Sequence, residues 1–93
     1  MNVRDNATLG RFELEEKGLI VFANYHRSGQ HIVIPHVEAA PALRGTGAAD
    51  RLMSGIVELA RRDGFRLSPT CSYARIWLRR HPDAADVLAG VAR

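Results

Sequence analysis

The chain has 93 residues, 46% of them hydrophobic, a length and composition that fit one small domain with a single core. Its formal net charge is +3, and basic residues alternate with acidic ones along the chain, which favours an anionic ligand without indicating a basic arm. The single cysteine, Cys71, excludes an internal disulfide and a thiolate zinc cluster.

The sequence lacks the features of exported and membrane proteins. Residues 1–10 include Arg4 and Asp5 and contain no apolar signal core. No apolar run approaches the roughly 20 residues that span a bilayer. We therefore expect a single domain over residues 1–93, located in the cytoplasm and without a membrane partner.

The first half of the chain predicts three antiparallel strands. Phe12 and Leu14 alternate with charged residues, and a turn at Gly18 leads to an apolar run over residues 19–23. After a second turn, residues 31–39 are rich in β-branched side chains and predict the third strand. Pro35 within it predicts a bulge or a partial edge position.

The next segment predicts a helix and a fourth strand. Apolar residues recur at spacings of three and four from Ala49 to Ala60, which predicts an amphipathic helix that ends at Gly64. Residues 65–69 then predict a short strand. Because a helix separates it from the third strand, the two should be parallel and form a βαβ unit.

The end of the chain predicts two short helical segments. Residues 72–80 predict a helix with Tyr73, Ile76 and Trp77 on one side, and His81-Pro82 ends it before a last turn or helix. The expected fold class is therefore α/β, with an antiparallel N-terminal meander, a βαβ unit and C-terminal helices.

A glycine-rich loop lies between the third strand and the long helix: Arg44-Gly45-Thr46-Gly47-Ala48-Ala49. Such a loop can bind an anion, because the first N–H groups of a helix have no intrahelical partner and the helix dipole is positive there. A Walker A loop is excluded, since Ala48 and Ala49 follow Gly47 where that motif needs lysine and a hydroxyl. Asp50 in place of a third glycine excludes a Rossmann fingerprint. A plain strand-to-helix turn remains the alternative.

The pattern Arg44-x-x-Gly47-x-Ala49 resembles the signature of the GNAT superfamily of N-acyltransferases. The chain is also similar to very small single-domain GNAT-like proteins, in four motifs between Arg11 and Leu88: His36-x-Glu38, Pro41-Ala42-Leu43-Arg44-Gly45-x-Gly47, Pro69-x-Cys71 and Arg80-His81-Pro82. The resemblance implies a minimal GNAT-like fold with acetyl-CoA as co-substrate and no metal. It also implies that the pyrophosphate is held by the backbone of Arg44, Gly45, Thr46, Gly47, Ala48 and Ala49.

Three residues are candidates for the chemistry. His36 and Glu38 are two apart on a strand and therefore share a face. The resemblance implies that Glu38 is the general base for an acceptor amine, and a solvated strand end is the alternative. His36 is either a structural histidine or the group that deprotonates Cys71. Cys71 is either a small buried hydrophobe or, close to helix N–H groups that favour a thiolate, the carrier of the acyl group or a proton.

The chain also departs from larger GNAT enzymes. Their usual tyrosine general acid is missing from residues 74–80, where Trp77 cannot supply a proton. Tyr73 is the nearest phenol, and we expect it to be half-buried packing. The first half of the chain has no room for the helices that shape the acceptor site in larger members. We therefore predict acetyl transfer, at an open surface, to an amine of a protein side chain, a polyamine or a small molecule.

Two other functions fit the sequence. One is a CoA-binding module without catalysis. The other is a small basic nucleic-acid-binding domain, against which the few, dispersed aromatic residues argue. Arg75, Arg79, Arg80 and His81 form a basic patch that is either a solvated helix face or a contact to the 3′-phosphate of CoA.

Overall fold

The computed structural model describes residues 2–90. Five strands form one sheet in the order β1-β2-β3-β4-β5, with β1 at Arg4–Asn6, β2 at Arg11–Glu16, β3 at Leu19–Ser28, β4 at His31–Ala39 and β5 at Arg66–Pro69. The helices are α1 (Ala48–Asp63) and α2 (Ser72–Arg79), and 3-10 turns lie at Pro41–Leu43 and Pro82–Val87. Strands β1 to β4 are antiparallel, and β5 is parallel to β4. The expected α/β fold and βαβ unit are confirmed.

The sequence patterns do not predict β1. Its three residues are too few to show an alternation, yet they pair with β2, with Arg4 opposite Glu13. A side-chain hydrogen bond also attaches β1 to β3, because Tyr25 Oη donates to Asp5 Oδ1. The meander therefore has four strands rather than three.

The expected irregularity at Pro35 is confirmed as a β-bulge. Asn24 pairs with His36, and the next pair is His26 with Val33, so Tyr25 alone lies opposite both Ile34 and Pro35. The partial edge position is confirmed as well, because β5 pairs only with the first half of β4. That pairing ends at Ile34, and the second half of β4 has β3 as its only strand partner within residues 2–90.

Helix α1 covers one face of the sheet, and its predicted length is confirmed. It begins after Gly47 and ends at Gly64, two glycines in the left-handed region, and the Gly64 N–H donates to Ala60 O. Its apolar stripe packs on alternate residues of the strands in a single core. The fully buried members of that core with the largest side chains are Phe12, Val21, Ile32, Ile34, Leu52, Met53, Ile56 and Leu67.

Helix α2 buries a different face from the one predicted. Trp77 is buried as expected, but Tyr73 and Ile76 are 40% and 43% exposed, and Ala74 and Leu78 take their place in the core. The prediction failed because both sets of residues have helical spacing, so periodicity alone does not select between them. At 40% exposure Tyr73 is nevertheless half-buried, as we expected.

The opposite face of the sheet is polar. Arg11 and Glu13 of β2, Phe22 of β3, and His36 and Glu38 of β4 alternate with core residues and lie on this face. None of them belongs to the hydrophobic core, which lies on the α1 side. Neither helix in the described part of the chain is long and apolar enough to cross a membrane.

The hydrogen bond between Tyr25 and Asp5 should make the free energy of unfolding depend on pH in the alkaline range. Burial, followed by the hydrogen bond to Asp5, raises the pKa of Tyr25 from 10.0 to about 12. The folded state therefore keeps a proton that the unfolded state loses first, so the contribution is complete below pH 10 and is lost as the pH rises through about 12. We expect Tyr25→Phe to lower the free energy of unfolding at neutral pH by about 1–2 kcal/mol, as measured by urea titration. This difference should shrink between pH 10 and 12, and a constant difference would contradict the assignment.

Candidate functional site

The glycine-rich loop presents a row of free backbone donors. Gly45 and Gly47 have φ values of 77° and 87°, which turn the chain from the 3-10 turn into α1. Thr46 is held inside the loop, since its N–H and its hydroxyl both donate to Leu43 O. Five backbone N–H groups have no acceptor within residues 2–90, those of Gly45, Gly47, Ala48, Ala49 and Asp50. The loop has the donors of an anion site.

A cavity of about 330 Å³ lies against this loop. Five of the six predicted loop residues line it, all except Thr46, whose side chain is bound to Leu43. The rest of the lining comes from Ala39 at the end of β4, Leu43, Asp50 on α1 and Tyr73 on α2. The cavity therefore joins the loop to the end of β4 and to the start of α2.

Arg51 fixes the loop from outside. Its Nη2 donates to Thr46 O at 3.1 Å, and its Nε and Nη2 donate to the carboxylate of Glu16 at the end of β2, at 2.6 and 2.8 Å. The hydrogen bond from Arg51 lowers the pKa of Glu16, so this ion pair persists at neutral pH. A Cβ atom at Gly47 would lie 2.9 Å from Arg51 Nη1. The guanidinium therefore occupies the space that a side chain at position 47 would need.

We predict that alanine is tolerated less well at Gly47 than at Gly45. Both positions have positive φ, so each substitution should cost about 1–2 kcal/mol of backbone strain. A Cβ at Gly45 meets nothing within 4 Å, whereas one at Gly47 requires the end of the Arg51 side chain to shift. This shift weakens the bond from Arg51 to Thr46, a further loss of up to about 1 kcal/mol. Chemical denaturation of Gly47→Ala beside Gly45→Ala measures the difference. Equal stabilities would show that the Arg51 contact is unimportant.

The second half of β4 leaves a free strand edge beside the cavity. The Ile34 carbonyl accepts three hydrogen bonds, from Thr70 N at 3.0 Å, from Cys71 N at 3.3 Å and from the Thr70 hydroxyl at 3.4 Å. The pairing with β5 goes no further. Backbone groups alternate in direction along a strand, and the Ala40 N–H donates to Ile20 O of β3. The N–H groups of Val37 and Ala39 therefore point away from β3, toward the opening between β4 and β5.

His36 and Glu38 share a face, as predicted, and are bonded to each other. His36 Nε2 lies 2.8 Å from Glu38 Oε1, and both side chains are about half exposed. Because an ionised carboxylate only accepts, this bond assigns the proton to Nε2 and leaves Nδ1 free in the neutral ring. The ring of Phe22 on β3 lies beside them, 6.3 Å from the imidazole centre. This pair is a carboxylate held in place by an imidazole.

Cys71 is the N-cap of α2. Its Sγ accepts a hydrogen bond from Ala74 N at 3.3 Å, and its side chain is partly buried against the core. The thiol therefore lies at the start of a helix, as the sequence predicted. No hydrogen bond in the described part of the chain joins it to His36, whose Nε2 is bonded to Glu38.

Sequence reasoning missed a contact between the two helices. Trp77 Nε1 donates to Asp50 Oδ1 at 2.6 Å, and the ring of His81 stacks on Trp77 with 3.7 Å between centres. The available signal was the need of a buried indole N–H for an acceptor. Tyr73 also borders the cavity, and burial, followed by the charge of Asp50, raises its pKa, so its phenol keeps its proton at neutral pH.

No group of three or more His, Cys, Asp or Glu side chains that could hold a metal ion occurs within residues 2–90.

Three comparisons with known proteins bear on this site. The model of a family described as GCN5-related N-acetyl-transferase matches residues 11–87. A GCN5-like protein from Staphylococcus aureus, solved by NMR, is similar in structure, with a TM-score of 0.72 and 22% identity over 99% of this chain and 91% of that one. At that identity the likeness concerns the fold. A comparison with curated protein sequences gives no match.

Proposed function

Because the chain belongs to the GCN5-related N-acetyltransferase family, we propose that it binds acetyl-CoA along residues 44–49 and transfers the acetyl group to an amine. The observation that carries the proposal is the row of backbone N–H groups without an acceptor at the start of α1. A pyrophosphate brings two negative charges and many acceptor oxygens. Glycines at 45 and 47 leave the backbone open to it, and α1 adds the positive end of its dipole.

The free edge of β4 suits the rest of the cofactor. The pantetheine arm of CoA contains two amide groups, which can pair with an unpaired strand edge as another strand would. The Val37 N–H, which points into the opening between β4 and β5, is the donor that we assign to the thioester carbonyl. A fixed backbone donor at this position stabilises the negative charge that develops on the oxygen during attack.

The proposed reaction is direct attack by the acceptor amine. The nitrogen forms a bond to the carbonyl carbon, its proton passes to Glu38 directly or through one water, and the carbon–sulfur bond then breaks. His36 holds the Glu38 carboxylate through their 2.8 Å bond. The CoA thiolate leaves and takes a proton, for which Tyr73 is the phenol that borders the cavity.

Cys71 has a different role in this proposal. Its sulfur accepts the Ala74 N–H, so it stabilises the start of α2 beside Ile34, where β4 and β5 separate. The alternative is that the same thiol first takes the acetyl group from CoA and then passes it to the amine. The two routes differ in whether the protein carries the acetyl group between steps.

Cofactor binding is tested by calorimetric titration with acetyl-CoA and with CoA. We expect Gly45→Glu to weaken the affinity by at least about tenfold, because it adds bulk and a negative charge to the lining of the cavity that would hold the phosphates. Gly29→Glu is the matched control, since it adds the same charge at another positive-φ glycine, in the β3–β4 turn, and neither position has an atom within 4 Å of the added Cβ. Binding that fails in the unaltered protein, or survives Gly45→Glu, would contradict the proposed cradle. Salt-sensitive binding to RNA or DNA without CoA binding would favour the nucleic-acid alternative.

Catalysis is tested by CoA release from acetyl-CoA with a panel of polyamines, lysine peptides and small amines. We expect Glu38→Gln to lower kcat by about 100-fold with unchanged affinity for acetyl-CoA, because a general base is lost and the cradle is not. Turnover that is equal in Glu38→Gln would remove Glu38 from the mechanism. Binding without turnover with every amine would favour a CoA-binding module.

Cys71→Ser is the control that separates direct attack from an acyl-enzyme. Serine keeps an N-cap acceptor for Ala74 but removes the thiol. Direct attack predicts that this variant retains turnover and that intact-mass spectra show no acetyl adduct on the unaltered protein. An adduct on Cys71, together with inactive Cys71→Ser, would instead establish the acyl-enzyme route.

A further inference from the structure

A compact cluster connects the first turn of α1 to the end of α2. Asp50 Oδ1 accepts from Trp77 Nε1 at 2.6 Å and lies 3.9 Å from His81 Nε2. The His81 ring stacks on the indole at 3.7 Å with an interplanar angle of 12°. His81 belongs to the Arg80-His81-Pro82 motif, but the proposed chemistry does not use this cluster, although Asp50 borders the proposed pyrophosphate cradle.

The hydrogen bonds assign the protons of His81. Its Nδ1 lies 2.7 Å from the Trp77 backbone oxygen, and a carbonyl only accepts, so Nδ1 carries a proton whether the ring is neutral or charged. The neutral ring is therefore bare at Nε2, the atom that faces Asp50. Protonation adds the missing N–H at this atom and gives Asp50 a cationic partner.

Asp50 carries a negative charge beside the cradle and therefore repels an anion bound there. Its carboxylate borders the same cavity as Gly45 and Gly47, whose free N–H groups favour negative charge. The Trp77 N–H holds Oδ1 but is neutral and leaves the charge of the carboxylate in place. A pyrophosphate in the cradle is therefore repelled by the Asp50 carboxylate. A positive charge on a protonated His81 reduces this repulsion.

The other charged groups around the cluster do not give Asp50 a positive charge that depends on pH. Arg51, next to Asp50 on α1, is engaged by Glu16. Tyr73, one turn before Trp77 on α2, stays neutral. Arg80 and Asp83 lie close to His81 in the chain and have opposite charges, and Arg44 is on the loop. Among these side-chain types, imidazole is the one whose ordinary charge change falls between pH 5 and 8.

We propose that His81 is a positioning residue that acts through Asp50, so that acetyl-CoA binding is coupled to uptake of a proton by His81. The coupling rests on the proposed cradle. By reciprocity, a cofactor that favours the charged imidazole binds more tightly when the imidazole is already charged. Affinity should therefore rise by about three- to fivefold as the pH falls from 7.5 to 5.5, the effect of one partly exposed ion pair.

Calorimetry in buffers of different ionisation enthalpy measures the proton taken up on binding. Dephospho-CoA is the probe, because it keeps the pyrophosphate but lacks the 3′-phosphate, which would itself titrate in this range. We expect proton uptake near pH 6.5 in the unaltered protein and none in His81→Gln. Asp50→Asn, which keeps an acceptor for Trp77, should also show none and should bind more tightly at pH 7.5. His26→Gln, at an exposed histidine on β3, is the control that should retain the uptake.

The outcomes separate the coupling from the cradle. Binding without proton uptake, or with uptake that persists in His81→Gln and Asp50→Asn, would overturn the role of His81 and leave the cradle intact. If His81→Gln does not fold, proton uptake that is present in the unaltered protein and absent in Asp50→Asn still supports the coupling. Absence of dephospho-CoA, CoA and acetyl-CoA binding at every pH would overturn the cradle, and the coupling with it.

Discussion

The carbonyl oxygen of Ile34 is the point on which the architecture of the site depends. It accepts the N–H groups of both Thr70 and Cys71, and this pair of bonds ends the β4–β5 ladder. The bulge opposite Tyr25 lies at the same place, so β4 changes its alternation where it loses its second partner. The Thr70 hydroxyl donates to the same oxygen at 3.4 Å, so three donors converge on one carbonyl where the two strands separate. The separation of β4 from β5 is thus fixed by these hydrogen bonds and by the bulge.

Helix α1 serves the core and the candidate site with different residues. Its apolar stripe is buried on the sheet, while its first turn and the preceding glycines face the cavity. Because the helix is anchored by the core, the free N–H groups at its start are held in place by the same packing that stabilises the fold.

The polar face of the sheet carries Glu13, only 2% exposed, which Arg4, Asn6 and Arg11 surround with donors. The hydrogen bond from Arg11 lowers the pKa of this carboxyl group, and Glu13 therefore stays ionised at neutral pH.

Much of this fold follows from local patterns in the chain. The period of α1, the glycines at its ends and the proline in β4 are each visible in a short window of sequence, and the structure confirms the elements they predict. The shared face of His36 and Glu38 follows in the same way from a period of two. β1 was not predictable, because its three residues are defined by pairing with β2. The inner face of α2 was not predictable either, since two apolar stripes compete and the packing beside α1 decides between them. The bond from Trp77 to Asp50 joins residues 27 apart and exists only once both helices are docked.

The anchoring of the loop by Arg51 has a thermodynamic consequence. Thr46 is tied to Leu43 within the loop and to Arg51 from outside, and Arg51 is tied in turn to β2. Thr46, in the middle of the loop, is therefore fixed by the fold itself, and the conformational entropy of this part of the loop is already lost when the chain folds. Association at the loop would accordingly show little of the unfavourable entropy that accompanies the ordering of a mobile segment, and the rigidity of the apo protein would be part of its affinity.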